Sequence, residues 1–319
     1  MKKILALLCA LCLLCALCAC GQSAAPSADR SFTVGVCQLV QHPALDAATQ
    51  GFCDALSEKL GNRVSVEVRN ASGEAPNCAV ICNQFVSDEV DLIMANATPA
   101  LLAAQSATNT IPVLGTSVTD YASALAIDDW SGKTGTNISG TSDRVPEEEQ
   151  AKILNELFPD AKTVGILFCS AEPNSRVQAD AITPALTGMG YEVKEFVFAD
   201  SNDVAAVATT ACDESDVLYI PTDNTAASNS ELIGSVALNA KTPIIAGEEG
   251  LCKGCGVATL SISYYDLGRV TGEMAAEILL EGKNPGEMEI RYAPFTKKFD
   301  ADVCAALGIT VPEDYVAIG

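Results

Sequence analysis

The chain has 319 residues, a formal net charge of −22, and apolar residues at 49% of its positions. This length allows one or two domains, and the apolar content is ample for a core, so wholesale disorder is excluded. With 19 basic against 41 acidic residues, nucleic acids and anionic membrane surfaces are excluded as partners, because both are themselves negative. The single histidine, His42, excludes a zinc site with two histidine ligands.

The N-terminus predicts an export signal. Lys2 and Lys3 precede an apolar run that is long enough for a signal peptide but too short for a comfortable membrane span. Residues 17–21 resemble a bacterial lipobox, which predicts cleavage before Cys20 and attachment of lipid to its thiol. We therefore expect a signal peptide at 1–19, a lipidated cysteine and flexible tether at 20–31, and anchoring to the outer face of the bacterial cell membrane through the lipid alone.

The cysteines that follow this segment do not form an obvious disulfide framework. Nine of the fourteen remain, an odd number that cannot pair completely within one chain, and most lie in apolar runs. Cys252 and Cys255 form a CxxC motif, which is compatible with free thiols, a local disulfide, or redox or metal chemistry. No second CxxC is present to complete a four-thiolate zinc site, and we predict neither a metal nor a cofactor.

Beyond the tether, short apolar strands alternate with helical patterns. Several strands are apolar without alternation, as expected for parallel strands that are covered on both faces, and this alternation predicts an α/β fold with parallel sheets. One helix is marked by the apolar face of Leu45, Ala48, Phe52 and Leu56, and it ends near Gly61. The predicted strands are 32–40, 64–68, 91–97, 112–118, 163–169, 192–198, 216–222, 243–248 and 257–263.

The pattern begins again in the middle of the chain. Strands starting near Val34 and Val164 are each followed by a polar turn, a helix and another strand about thirty residues later. Two similar α/β lobes fit the length better than one sheet. A cleft between two lobes is a common place for a small-molecule site.

The polar residues at the strand ends suggest what such a cleft would bind. Ligands of α/β sheets bind beyond the carboxyl ends of the strands, where helix N-termini supply free N–H groups. Thr98 as an N-cap, with Pro99 in the first turn, predicts a cradle for a carboxylate or phosphate. Carboxylates nearby suit a zwitterion, with its ammonium group on Asp223 or Asp120. The candidate ligand-binding residues are Gln38, His42, Asn96, Ala97, Thr98, Thr116, Asp120, Asn174, Ser175, Thr222, Asp223, Asn224 and Glu248.

Each of these residues also has a structural explanation. On this alternative, Thr98 and Asn224 are helix caps and have no further role. Asp223 is then an Asx-turn residue, and Glu248 is a solvated charge in a loop. The sequence contains no nucleophile–base pair and no GxGxxG or GxxxxGK[ST] phosphate loop. We therefore predict that the protein is not an enzyme, and that His42 lines the cleft or is structural.

Motifs spread over the chain resemble those of the periplasmic-type binding proteins of ABC importers. More narrowly, the sequence is similar to the tryptophan- and tyrosine-binding lipoproteins of the TrpX-like family. The motifs are QHPALD (41–46), MANATPA (94–100), TSVTD (116–120), NISGTSD (137–143), EPNS (172–175), PTDNT (221–225), GEEG (247–250) and ISYYDLGRVTGEMAA (262–276).

The resemblance implies a type I periplasmic binding protein fold. Two Rossmann-like lobes would be joined by a multi-crossing hinge, near 140–146, 261–266 and 288–294, and would close over a ligand. The N-terminal lobe would comprise 32–142 with 264–290, and the C-terminal lobe 143–263 with 291–319.

The resemblance further implies an aromatic L-amino acid as the ligand, and permease subunits of an ABC importer as partners of a monomeric protein. Asn96 to Thr98 would hold the α-carboxylate, Asn174 and Ser175 would contact the ligand from the other lobe, and Asp223 would bind the ammonium group. Thr116, Asp120 and Glu248 would line the site.

Two other functions remain open from the sequence. One is an exported thiol-redox enzyme that uses Cys252 and Cys255. The other is a lipoprotein sensor that binds a nucleoside or another solute on the same scaffold.

Overall fold

The structure is a computed structural model that describes residues 30–318. The predicted signal peptide, the lipidation at Cys20 and most of the predicted tether lie outside these residues. The strands are β1 (Phe32–Gln38), β2 (Val64–Asn70), β3 (Leu92–Asn96), β4 (Val113–Val118), β5 (Ile138–Ser142), β6 (Thr163–Cys169), β7 (Glu192–Phe198), β8 (Val217–Ile220), β9 (Ile244–Ala246), β10 (Ala258–Ile262), β11 (Arg291–Tyr292), β12 (Phe295–Phe299) and β13 (Val316–Ala317).

Helices connect these strands. They are α1 (Pro43–Leu60), α2 (Ala75–Ser87), α3 (Thr98–Ala107), α4 (Tyr121–Ala124), α5 (Glu147–Leu157), α6 (Pro173–Gly188), α7 (Val204–Asp213), α8 (Asn224–Ser228), α9 (Ser230–Ala240), α10 (Glu249–Cys255), α11 (Tyr264–Glu281) and α12 (Ala301–Leu307). Short 3-10 turns occur at Gly61–Arg63 and Pro285–Glu287.

Within the described residues the strands form two sheets, one for each lobe. The first sheet has the order β11-β5-β4-β3-β1-β2, and the second has the order β13-β12-β10-β9-β8-β6-β7. Neighbouring strands are parallel, except that β12 runs antiparallel to β10. The predicted α/β class with two parallel-sheet lobes is therefore confirmed.

The central strands of both sheets are buried over nearly their whole length, because helices cover both faces. Every residue of β3, β4, β5, β8 and β10 is buried. This explains why those segments lack the polar–apolar alternation of a half-exposed sheet. Helix α1 buries the face predicted for it, with Phe52 and Leu56 fully inaccessible, and ends where Gly61 adopts a positive φ of 58°.

The long helix α11 lies against α1 and belongs to the first lobe. The two helices approach closely because glycine stands at their contact points. A Cβ atom at Gly268 would overlap the carbonyl oxygen of Ala48, and one at Gly51 would overlap the carbonyl oxygen of Tyr265. This packing fixes the N-terminus of α11, which begins at Tyr264, beside the junction of the lobes.

The described chain crosses between the lobes at three places. These are residues 143–146 between β5 and α5, Ser263 between β10 and α11, and residues 293–294 between β11 and β12. Because β11 pairs with β5, residues 291–292 lie in the first sheet, two residues beyond the predicted boundary at 290.

Four strands were not predicted. β5 consists mainly of small polar residues, which give no apolar signal, and β11 and β13 are two residues long. β12, with the sequence FTKKF, alternates little and is largely accessible. No helix among residues 30–318 combines the length and the apolar character that a membrane span requires.

Candidate functional site

A narrow cavity lies between the lobes, where strand ends of both sheets and the crossing segments meet. Its cavity volume is about 10 Å³, little more than one water molecule needs, so the lobes must move apart to admit a larger ligand. We call it the interlobe cavity. It is lined by His42, Leu45, Ser117, Thr119, Asp143, Asn174, Thr222, Asp223, Asn224, Ala227, Glu248 and Tyr264.

Polar atoms without partners converge on this cavity. In the described part of the chain, few buried side-chain oxygen and nitrogen atoms lack a hydrogen bond, and four of them belong to cavity-lining residues. They are His42 Nδ1, Ser117 Oγ, Asp143 Oδ1 and Asn174 Oδ1. A buried polar atom without a partner is costly, at about 1–3 kcal/mol, so four around one space indicate a place for a polar ligand.

His42 bridges the two lobes from the N-terminus of α1. Its Nε2 lies 3.3 Å from Oδ1 of Asn224, and the amide nitrogen of Asn224 donates to Glu172. The Asn224 oxygen must therefore accept, so Nε2 of His42 carries the proton and donates. Burial lowers the pKa of His42, so the ring is neutral near pH 7 and its Nδ1 is an acceptor that faces the cavity.

Asn174, in the first turn of α6, is oriented by the second lobe. Its amide nitrogen donates to the carbonyl oxygen of Thr222 at 2.8 Å and lies 3.3 Å from Glu172. Both partners are acceptors, which leaves Oδ1 of Asn174 as the atom without a partner.

Glu172 supports this side of the cavity from behind. Its carboxylate accepts from the backbone and side chain of both Asn224 and Thr225, at 2.6–2.9 Å. These bonds fix the first turn of α8, on which Asn224 lies.

Asp223 is buried at the floor of the cavity and serves as the cap of α8. One carboxylate oxygen accepts from the amide of Ala226, and the other accepts from the amide of Cys169 and the hydroxyl of Ser175. Burial, and then the charge of nearby Glu172, raise the pKa of Asp223 to about 8.

Glu248 occupies the corresponding position at the start of α10. Its two oxygens accept from the amides of Gly250 and Leu251, so this carboxylate is also a helix cap. Burial raises the pKa of Glu248 to about 7.

Asp143 lies on the first crossing and faces the cavity. Tyr264 donates its hydroxyl to Oδ2 at 2.8 Å, while Oδ1 has no partner. Burial raises the pKa of Asp143. Among the described residues that line the cavity, Asp143, Asp223 and Glu248 are acidic and none is lysine or arginine, so no positive side chain opposes a positive group on a ligand.

The structure places the predicted site residues in three groups. His42, Asn174, Thr222, Asp223, Asn224 and Glu248 line the interlobe cavity. Ser175 lies behind it and donates to Asp223. Thr98 and Asp120 line an adjoining space that they share with Asn174.

The remaining predicted residues face other directions. Gln38 bonds to Val40, Asp46 and Thr49 within the first lobe. Asn96 donates to Leu45 and Thr49. Thr116 shares a hydrogen bond with Thr141, and Ala97 is completely buried in the core of the first lobe.

The predicted cap of α3 is displaced by one residue. Thr98 is the first helical residue, and the N-cap position is taken by Ala97 with a φ of 88°. Asp120 caps α4 through the amide of Ser123 and pairs with Arg144, so its carboxylate is already engaged.

Sequence reasoning missed Ser117, Thr119, Asp143 and Tyr264. All four lie within motifs that were recognised. Thr116 and Asp120 were selected beside Ser117 and Thr119, whereas no residue was selected from the motifs that contain Asp143 and Tyr264. Ser117 has a φ of 53°, a strained conformation for a non-glycine residue that is often found at binding sites. A local sequence pattern does not reveal that conformation.

Cys252 and Cys255 lie inside the second lobe. All nine cysteines among residues 30–318 are free thiols, and these two are buried on α10. Burial raises the pKa of both thiols, which disfavours the thiolate that redox chemistry requires. In the same range, no group of three or more histidine, cysteine or acidic side chains is placed to hold a metal ion.

Comparison with known proteins places this geometry in a family. Residues 33–317 match the family described as ABC transporter substrate binding protein. The tyrosine-binding protein of Clostridioides difficile (strain R20291) is 37% identical over 260 residues, which are 81% of this chain and 75% of that protein.

Solved structures show the same fold. The ABC domain from Streptococcus pneumoniae in complex with L-Trp is 31% identical, with a TM-score of 0.84 over 89% of this chain and 96% of that chain. The ligand-free, open structure of a substrate binding protein with adhesive properties from Clostridium difficile is 35% identical. Its TM-score is 0.68, over 90% of this chain and 99% of that chain.

Proposed function

The chain belongs to the family of ABC transporter substrate binding proteins, and we propose that it captures an aromatic L-amino acid between its lobes for an ABC importer. In this proposal the protein works outside the cytoplasm, is held to the membrane by lipid on Cys20, and delivers its ligand to permease subunits as a monomer.

The observation that carries the proposal is the set of four unpartnered polar atoms around the interlobe cavity. They come from both lobes and from the first crossing, so one ligand that satisfies them would hold the lobes together. Binding energy that is available only when both lobes engage the ligand favours the closed arrangement.

The aromatic class is supported by the relatives. One is named a tyrosine-binding protein, and another is solved with L-Trp bound. The structure also superposes better on the L-Trp complex than on the ligand-free, open relative, although the open relative is slightly more similar in sequence. A closed lobe arrangement of this chain accounts for that difference.

The two ends of an amino acid would bind differently. The acidic lining and the acceptors His42 Nδ1 and Asn174 Oδ1 suit the ammonium group. We propose that the carboxylate turns toward the hydroxyl of Ser117 and the N-terminus of α3 at Thr98, where backbone N–H groups favour an anion.

A thermal-shift screen tests the proposed function. The mature protein is heated with each of the twenty L-amino acids, the D-enantiomers of Trp, Tyr and Phe, and a set of nucleosides. We expect stabilisation only by L-Trp, L-Tyr or L-Phe, amounting to about 2.7 kcal/mol when the ligand is at 100 times its Kd. The proposal would be contradicted if nucleosides alone stabilised the protein, or if none of the amino acids did.

The lipid anchor is tested separately. Cys20→Ser is expressed from the full chain, and membrane and soluble fractions are compared with those of the unaltered protein. We expect the variant to leave the membrane fraction while its ligand response is unchanged, and retention of the variant in the membrane would refute the anchor.

A further inference from the structure

We propose that Asp143 is the counter-charge for the ligand's α-ammonium group, and that Tyr264 is the positioning residue that holds this carboxylate toward the interlobe cavity. The inference rests on the proposed function and differs from the expectation that Asp223 binds the ammonium group.

The carboxylate of Asp143 differs from the other two acids of the cavity. It is the one carboxylate lining the described cavity that has an oxygen without a partner, while its other oxygen is fixed by the hydroxyl of Tyr264. A carboxylate held at one oxygen and free at the other offers a preorganised acceptor for one more donor.

The other two acids of the cavity are held at both oxygens. Both oxygens of Asp223 and both oxygens of Glu248 already accept N–H groups at the starts of α8 and α10. The helix N-termini therefore compensate part of the negative charge that these two acids carry when ionised. At Asp143 the neighbouring hydroxyl groups of Tyr264 and Thr119 are neutral, and no positive side chain of residues 30–318 pairs with the carboxylate.

The unpartnered atoms of the cavity are mostly hydrogen-bond acceptors. His42 Nδ1, Asp143 Oδ1 and Asn174 Oδ1 are acceptors, and Ser117 Oγ can donate or accept. A ligand that satisfies this set must bring more donors than acceptors at this end of the cavity. An ammonium group supplies three N–H donors and a positive charge.

The position of the pair links recognition to the hinge. Asp143 lies on the first crossing, and Tyr264 begins α11 directly after the second crossing. An ammonium group on Asp143 would thus bind where two connecting segments meet, so its binding stabilises one arrangement of those segments.

The test compares amino acids with analogues that lack only the amino group. L-Tyr, L-Trp and L-Phe are titrated calorimetrically beside 3-(4-hydroxyphenyl)propanoic, indole-3-propanoic and 3-phenylpropanoic acids. In the unaltered protein we expect the amino acid to bind at least about 30-fold more tightly than its analogue, since a buried charge pair that loses one partner costs about 2 kcal/mol or more.

Asp143→Asn should reduce this preference to within about threefold, while binding of the analogue is unchanged or tighter, because a negative charge facing the cavity is gone. Asp223→Asn can weaken both ligands but should keep the preference. Asp266→Asn, on the exposed surface of α11, should leave both affinities unchanged.

Tyr264→Phe provides a second readout in case Asp143→Asn does not fold. It should reduce the preference several-fold and leave binding of the analogue unchanged, which a general loss of packing would not do. This inference is overturned if the preference for the amino acid over its analogue survives Asp143→Asn or Tyr264→Phe. It is also overturned if that preference is lost in Asp223→Asn alone. In either case the proposed function stands. If the unaltered protein binds no amino acid, the proposed function fails and the inference fails with it.

Discussion

Two neighbouring tyrosines at the start of α11 use their hydroxyl groups in different surroundings. Tyr264 is buried and donates to the buried carboxylate of Asp143, whereas Tyr265 is 37% exposed and donates to Asp54 at the surface. Replacing each tyrosine by phenylalanine therefore removes a buried hydrogen bond at position 264 and an exposed one at position 265.

We expect Tyr264→Phe to lower the free energy of unfolding by about 1–3 kcal/mol, because it leaves a second oxygen of Asp143 buried without a partner. Tyr265→Phe is the matched control and should change it by less than about 0.5 kcal/mol, since water can replace the lost bond. Urea unfolding of the ligand-free protein measures both, and equal effects would contradict the assignment.

A second residue-scale prediction concerns Glu172. In Glu172→Gln an NH₂ group replaces one of the two accepting oxygens and faces N–H and O–H donors of Asn224 and Thr225. The start of α8 therefore loses some of the hydrogen bonds that Glu172 accepts in the unaltered protein. We expect a loss of about 2 kcal/mol in unfolding free energy and weaker ligand binding, measured by urea unfolding and calorimetry. A variant with unchanged stability would show that these bonds contribute little.

At the residue scale, the sequence predicted about half of the cavity lining. It located the strand ends, but it could not tell which of two adjacent polar residues points into the cavity. Thr116 bonds to Thr141 inside the lobe, while its neighbour Ser117 lines the cavity with a positive φ. Successive strand residues point to opposite faces, so an error of one residue reverses the answer.

The packing of α11 on α1 is the element that holds Tyr264 in place. Gly268 lies against the backbone of Ala48, so an added methyl group would push the helices apart. Gly188, the last residue of α6, has open space where a Cβ atom would lie.

We expect Gly268→Ala to lower the free energy of unfolding by about 2 kcal/mol or more, because the clash is with backbone rather than with a movable side chain. Gly188→Ala should be neutral or should stabilise the protein by up to about 1 kcal/mol, since alanine is the better helix former. Urea unfolding measures both variants, and a tolerated Gly268→Ala would show that the helices can separate without loss.

At the element scale, the predicted strands of both sheet centres match the structure to within a few residues. Their apolar runs are long, and burial on both faces leaves a clear pattern. The strands that were missed are polar, very short or at the sheet margin, as β5, β11 and β12 are. Their pairing is determined by neighbouring strands and not by their own composition.

The whole molecule carries buried acids whose protonation couples folding to pH. The folded-state pKa values of Asp223 and Glu248 are raised to about 8 and about 7, well above those of an unfolded chain. From about pH 4 to about pH 8 the folded protein thus binds more protons than the unfolded chain, so its stability falls as the pH rises over this range and levels off above it.

We expect the ligand-free protein to lose stability between pH 6.5 and 8, by on the order of 1 kcal/mol per pH unit. His42, whose pKa is lowered by burial, is neutral in the folded state, whereas in the unfolded chain it still binds protons at the acid end of this range and opposes the fall there, so the decline is clearest above pH 7. Asp223→Asn should flatten the profile, although it also disturbs the cap of α8. Thermal or urea unfolding across this range checks the sign, and stability that rises with pH would contradict the raised pKa values.

In the complex that we propose, an aromatic amino acid lies between the lobes with its ammonium group on Asp143. A crystal structure determined in the presence of L-Tyr or L-Trp tests this most directly. We predict ligand density in the interlobe cavity, with the amino nitrogen within about 3.2 Å of Asp143 Oδ1 and contacts from His42 and Asn174. A ligand bound to one lobe only, or one whose amino group lies on Asp223 while Asp143 stays without a partner, would contradict the account.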